Sequence, residues 1–387
     1  MNLRFQISAL AILLFAACAQ HGRKVTPFYR ETVPPIQEEI TPEPPPPRKA
    51  QPDLIVGDDA VVKSKPAITT PPPVTNQPTA TPPVTGWISL QNWCAQNKLS
   101  PPLITREEGE TNITVSIRSD NGVFTFEHPR RNAHWNGVLL GVGFAPVFTN
   151  HTTLVNAIDI TKVLQPLLLT NETPRKKGGV IVIDAGHGGS NDGAISHDKK
   201  LKEKNLTLDW ARRVQKLLQG TDWQVYMTRT NDTFLSLTQR VAFAEAKKAD
   251  IFVSLHFNSF SKPSEAGLES YAMTPVGMAS HVTRDFADDI NVPVPNNEFD
   301  IDNFLLAYDM HRAMLRKTGC KDRGVRRARF MTVLRDQRRP AVLLEGGYLS
   351  NPEEAKLIAT PEYRQKLAEA VVEALGVNLP TLTTLRE

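Results

Sequence analysis

The stretch VIVIDAGHGG, Val180 to Gly189, decides the fold. Four consecutive β-branched residues, Val180 to Ile183, predict a strand buried on both faces, and the Asp-Ala-Gly-His-Gly-Gly that follows breaks it into a flexible polar turn. His187 therefore stands at the carboxyl end of a central strand, where open α/β sheets keep their ligands. A lone histidine in that position is usually a satisfied core or surface group, so its partners decide its meaning.

Two other stretches supply partners. In LKEKNLTLDWARRVQKLLQG, Glu203 opens an amphipathic helix whose Leu206, Trp210, Val214, Leu217 and Leu218 recur at helical spacing. In ADIFVSLHFNSF, His256 ends a second buried run, Ile251 to Leu255. Two imidazoles and one carboxylate, delivered by two strand ends and a helix start, can converge on one Zn²⁺ and leave its fourth position to water. Such an open site is a hydrolase site. A further apolar strand, Ala341 to Leu344 in PAVLLEGGYLSN, is followed by Glu345 as the first is followed by His187. A carboxylate that is not needed as a ligand serves as a general base, taking a proton from attacking water and returning it to the leaving amine. A phosphate-binding glycine loop is excluded, because DAGHGG lacks both the Lys-Ser/Thr ending of a P-loop and the spacing of a dinucleotide fingerprint.

Taken in order, DAGHGG, the glutamate of LKEKNLTL, SLHFNS, DRGVRRARFMTVLR and PAVLLEGGYLSN resemble the successive motifs of the zinc-dependent N-acetylmuramoyl-L-alanine amidases of the third amidase family. The resemblance runs from about Val180 to about Leu379. It implies that His187, Glu203 and His256 bind zinc, one ion per catalytic domain, and that Glu345 is catalytic. It also implies an α/β fold, with a central mostly parallel or mixed six-stranded sheet flanked by helices, and peptidoglycan as substrate. The bond at stake is the amide between N-acetylmuramic acid and L-alanine. Two other readings compete: a zinc peptidase cutting another peptidoglycan bond, and a catalytically silent wall-binding protein that keeps the fold. The second would be marked by loss of a ligand or of the late glutamate, and all four residues are present.

The 387 residues allow two or three domains, and the composition is that of a soluble protein except for 30 prolines. A net charge of +4 does not imply nucleic acid, although it suits an anionic cell envelope. Residues 1–17 carry Arg4 and an apolar run from Ile7 to Ala17, too short for a membrane span and right for a signal peptide. The ending LFAAC resembles a bacterial lipobox with Phe15 in place of the usual leucine, which implies lipidation of Cys18 and a membrane anchor at the cell envelope or periplasm. The alternative is ordinary secretion with cleavage near Ala17 or Ala19. Residues 18–85, rich in Pro and Thr, cannot bury a core and predict a disordered tether. Such a tether reaches at most roughly 190 Å at about 3.1 Å per residue, enough to lift a catalytic domain toward the wall.

Residues 86–172 predict a small α+β domain, with strand-like ITVSIRS and GVFTFEH, turns at Asp120-Asn121-Gly122 and Asn136-Gly137, and a helix at either end, in WISLQNWCAQNKL and TLVNAIDITKVLQPLL. The layout resembles the copper amine oxidase N-terminal-like domains, a name that implies no copper here. His128, His134 and His151 lack ligand spacing and read as surface residues. Cys94 and Cys320 fall in different predicted domains, which makes a disulfide between them improbable.

The catalytic domain is assigned to residues 178–379. Within it Arg240 reads as a salt bridge between helix and sheet at least as readily as a substrate contact, and Glu269 reads as a neighbour of the site. The polar segment 274–302 is expected to form a wall or lid of the substrate groove, ahead of a helix from about Asn303 to Lys317. Seven arginines between Arg323 and Arg339 read first as a solvated strand edge, and second as guanidinium groups able to grip the carboxylates of stem peptides. Substrate-binding residues are otherwise unassigned, and the reading leaves room for a protein activator.

Overall fold

The computed structural model describes residues 86–106, 113–149, 152–169, 178–282 and 289–377. The leader, Cys18, the tether and His151 lie outside the described residues.

The chain enters through β1 (Trp87–Ser89) and α1 (Leu90–Gln96), which starts where the Ser89 side chain accepts from the backbone N–H of Asn92. A run of short strands follows: β2 (Leu103–Arg106), β3 (Ile113–Ser119), β4 (Gly122–His128), β5 (Asn132–Trp135), β6 (Val138–Gly141), β7 (Val147–Phe148) and β8 (Thr153–Asn156). Then α2 (Ala157–Asp159) widens into a π-helical stretch and continues as α3 (Gln165–Leu168). The C-terminal half alternates strand and helix. It comprises β9 (Gly179–Ala185), α4 (Glu203–Leu217), β10 (Trp223–Met227), α5 (Leu237–Ala246), β11 (Ile251–Asn258), β12 (Leu268–Ala272), α6 (Asp300–Thr318), β13 (Asp322–Arg327), α7 (Thr332–Arg335), β14 (Ala341–Tyr348), α8 (Pro352–Ala359) and α9 (Pro361–Ala374).

Six of these strands form the expected mixed sheet in the order β10-β9-β11-β14-β12-β13. The first four run parallel, and β12 turns against β14. The reading of VIVI as doubly buried holds: Ile181 and Ile183 pack into the core under α4, α6 and α9, while Val182 packs into the second core under α5 and α7. Trp210 of α4 is fully buried 5.5 Å from the Phe257 ring, and burial of side chains this large contributes roughly 1.5–3 kcal/mol each.

The sheet does not stop at β13. A bridge between Val325 and Leu140 joins it to β6, and the order continues β6-β5-β4-β3-β2, eleven strands in all among the described residues. Asp322 accepts from Leu139 N at 2.8 Å, Arg131 donates to Ala279 O at 2.6 Å and Arg327 donates to Lys162 O at 3.1 Å, so the two halves share hydrogen bonds as well as a sheet. Trp87–Ser89 and Thr153–Asn156, read as parts of the two terminal helices, instead pair as β1 and β8. Each helix begins one residue later, because Ser89 and Asn156 are better as caps than as helix interior.

Two expectations are corrected. First, the arginine-rich segment is no strand edge, since β13 lies between β12 and β6. Arg327 is wholly buried under the Phe304 ring, Arg329 donates to Val292 O, and Arg339 donates to Ala244 O and Ala249 O. Second, Thr274 and Asn296 of the segment 274–302 lie at the wrong end of the sheet for a lid. Because β12 runs against β14, its exit at Thr274 is level with the start of β14 and not with Glu345. Asn296 donates to Arg339 O at 2.8 Å, just before that start, which places Asn296 at the opposite end of the sheet.

Candidate active site

Three side chains meet where the sequence expects. The ligand-capable atoms of His187, Glu203 and His256 all lie within 4.8 Å of one another, and all three residues are buried. Glu203 Oε2 is 3.0 Å from His187 Nε2, and Glu203 Oε1 is 2.9 Å from His256 Nδ1. Tetrahedral zinc with bonds of about 2.0–2.1 Å sets its ligand atoms about 3.3 Å apart, a spacing that the two carboxylate–imidazole distances of 3.0 and 2.9 Å approach.

The backbone supports each ligand. Glu203 enters in the first turn of α4 and takes one main-chain N–H on each oxygen, from Ala194 at 2.7 Å and from Phe257 at 2.9 Å. Asn191 Oδ1 accepts from Gly193 N at 3.0 Å, so it is the oxygen, and it also accepts the Nδ1 proton of His187 at 3.0 Å. That bond orients the imidazole with its Nε2 toward Glu203. Glycine is required where the imidazoles crowd the chain. A Cβ on Gly186 would come within 2.3 Å of the His256 ring, and one on Gly193 within 2.5 Å of Glu203 Oε2.

His187 itself has φ of 59°, a left-handed conformation that costs a non-glycine residue of order 1–3 kcal/mol unless its surroundings hold it. Two buried arginines do so. Arg240 donates to Asp184 Oδ1 at 2.6 Å, to Ala185 O at 2.8 Å and to His187 O at 2.8 Å, while Arg229 donates to Ala185 O, Gly186 O and Lys204 O. Arg240 is thus the tie between helix and sheet, and its contacts are with protein. Burial lowers the Arg229 guanidinium to about 10. Asn191, Asp184 and Arg229 were not assigned to the site from sequence, although Asn191 lies only four residues after His187.

The electrostatics suit a cation. Burial opposes charge on Glu203, but His187 and His256 beside it hold its carboxyl well below the usual carboxylate range. Burial in turn pushes His256 below the usual imidazole value, against the pull of Glu203. The result is one anionic oxygen donor and a neutral nitrogen donor at the same point, a donor set that suits zinc.

Glu345 completes the row. It is the register partner of His256 across β14 and β11, and of Glu269 across β14 and β12. Registered neighbours project from the same face, so His256, Glu345 and Glu269 line up across three adjacent strands. Glu345 is 8% exposed.

Fold and site together define a mixed α/β sheet protein with a candidate metal centre at the carboxyl ends of its parallel strands. The chain belongs to the N-acetylmuramoyl-L-alanine amidase family, whose model matches residues 181–376. It is 33% identical over 235 residues to the N-acetylmuramoyl-L-alanine amidase AmiC of Neisseria meningitidis serogroup B, covering 54% of this chain and 56% of that protein. It is 31% identical over 224 residues to AmiA of Escherichia coli K12, covering 52% of this chain and 77% of that protein. The chain therefore spans little more than half of the meningococcal relative. Among solved structures, the catalytic domain of the amidase CwlV from Bacillus (Paenibacillus) polymyxa is 34% identical with a TM-score of 0.43, covering 51% of this chain and 95% of that one.

Proposed function

We propose that this protein is a zinc-dependent N-acetylmuramoyl-L-alanine amidase that hydrolyses the bond between N-acetylmuramic acid and L-alanine in peptidoglycan. The observation that carries the reading is the meeting of His187, Glu203 and His256 within 4.8 Å, inside a chain of the amidase family. Those three residues would hold one zinc ion, and zinc, when bound, supplies a Lewis acid that polarises the amide carbonyl and makes water more acidic. Glu345 takes the proton from the attacking water and delivers it to the departing alanine nitrogen. Asn191 keeps His187 in one tautomer throughout, and the main-chain donors on Glu203 keep its carboxylate aimed.

The leader sequence and LFAAC support export to the cell envelope with a lipid on Cys18, and the proline-rich stretch up to residue 85 supports a tether. The region assigned to 86–172 would then support the catalytic domain assigned to 178–379, with whose sheet its strands β2 to β6 are continuous. The test is mass spectrometry of purified peptidoglycan after digestion, with and without a chelator. New peptides beginning with free L-alanine, formed only when metal is present, are expected. Peptides cut at a cross-link instead would replace the reading with a zinc peptidase.

A further inference from the structure

The wall of the site on the far side of Glu345 from His256 carries charges that the hydrolysis does not use. Glu269 on β12 is 2% exposed. It accepts from Asn258 Nδ2 at 2.9 Å, from the Tyr271 hydroxyl at 2.8 Å and from Arg323 Nε at 2.8 Å, with Arg326 Nη2 at 3.4 Å. Four donors from three strands hold one carboxylate still, directly beside the candidate base.

The two arginines differ in what else engages them. Arg323 also pairs with Glu265, and its guanidinium lies 5.0 Å from the Tyr348 ring centroid, so it is committed to two carboxylates and a ring. Arg326 donates Nε to Arg323 O at 3.1 Å and touches Glu269 only at 3.4 Å. Its side chain is 29% exposed, and its Nη1 has no partner among the described residues. A guanidinium has five donors in a rigid fork. One that is anchored by Nε and keeps Nη1 toward solvent is both fixed and open to an anion.

The span is right for the peptide leaving group. Glu269 stands one strand from Glu345, about 4.8 Å away across the sheet. Two extended peptide residues reach about 7 Å, so a carboxylate on the second residue after the scissile amide arrives at the β12–β13 wall. We propose that Arg326, steadied by Glu269, is a specificity-determining residue that pairs with a free carboxylate on the second residue of the stem peptide. This rests on the amidase reading above.

The experiment compares kcat/KM of the zinc-loaded full chain on two muramyl dipeptides, N-acetylmuramoyl-L-alanyl-D-glutamate with its α-carboxylate free and the same compound with that group as an amide. A charge-assisted bond predicts a preference of about tenfold or more for the free acid. Arg326→Gln should bring the ratio to within about twofold of unity, and Arg326→Lys should keep part of it. Equal turnover of the two compounds by the natural chain would overturn the proposal, and so would a ratio that survives in Arg326→Gln. Loss of rate on both compounds in equal measure would show that Arg326 only steadies Glu269, and would also overturn it. Failure of the natural chain to cut either compound at the muramyl amide, with zinc bound, would count instead against the amidase reading.

Discussion

Glu345 and His256 face each other as register partners on the adjacent parallel strands β14 and β11. Glu345 is outside the cluster of ligand-capable atoms, which His256 shares with His187 and Glu203. Under the function proposed above, neighbouring strands would divide the work, one side chain holding a cation and the next moving a proton.

The division can be separated by mutation. Glu345→Gln should retain zinc near one ion per chain while turnover of peptidoglycan falls by about 10² to 10⁴, the usual contribution of a positioned general base. Metal content by plasma mass spectrometry, measured beside turnover, checks it. Loss of zinc in this variant would make Glu345 a ligand.

Under the same reading Asn191 would act on the metal through His187, whose Nδ1 it faces at 3.0 Å. Asn191→Ala removes the acceptor of the Nδ1 proton, and zinc affinity should drop about 10- to 100-fold with His187 still in place. Competition against a chromophoric chelator reads this directly. His187→Ala, which deletes the ligand itself, should lose more.

Arg240 is a support of the same loop, and its removal should act on stability. Arg240→Met leaves Asp184, which is 1% exposed, without its guanidinium partner. Breaking one side of a buried pair costs about 3–5 kcal/mol. Burial opposes charge on Asp184, but Arg240, Thr228 and Ser254 hold its carboxyl below the usual range. A depressed carboxyl contributes stability above its unfolded value near 4 that is lost as pH falls further. The deficit of the variant should therefore be largest near pH 7 and shrink toward pH 4, as Asp184 takes up a proton in the absence of Arg240. Urea unfolding of both forms across that range checks the sign.

His281 staples the two halves of the sheet. One ring nitrogen lies 2.8 Å from Val142 O, and the other accepts from Arg327 N at 3.0 Å. Burial, with Arg131 nearby, pushes its imidazole down to about 3. The unfolded chain binds a proton there near pH 6.5 and the folded chain does not until about pH 3, so stability from this residue is complete above 6.5 and declines as pH falls through that window. At pH 5 the loss is about 2 kcal/mol, at 1.36 kcal/mol per unit. In His281→Gln this share of the pH dependence should vanish. An unchanged slope between pH 7.5 and 5 would show that the ring is protonated in the folded protein.

Some of this protein was written locally in the chain. Four β-branched residues ahead of Asp-Ala-Gly-His-Gly-Gly specify a doubly buried strand and an abrupt turn, because side-chain shape and glycine's freedom act within a few residues. The same holds for Glu203 opening α4 and for Glu345 at the end of an apolar run. The four candidate residues were therefore legible in order, each near the mouth of its own element, and the fold brings three of them, His187, Glu203 and His256, together. Other features depended on which strands become neighbours. That β13 is interior, that β2 to β6 extend the same sheet, and that Thr274 and Asn296 sit at the end away from Glu345 all follow from register and direction. Local pattern carries neither quantity. The burial of Arg327, Arg329 and Arg339 shows why: composition assigns arginine to solvent, and only a completed fold supplies enough backbone carbonyls to take it inside.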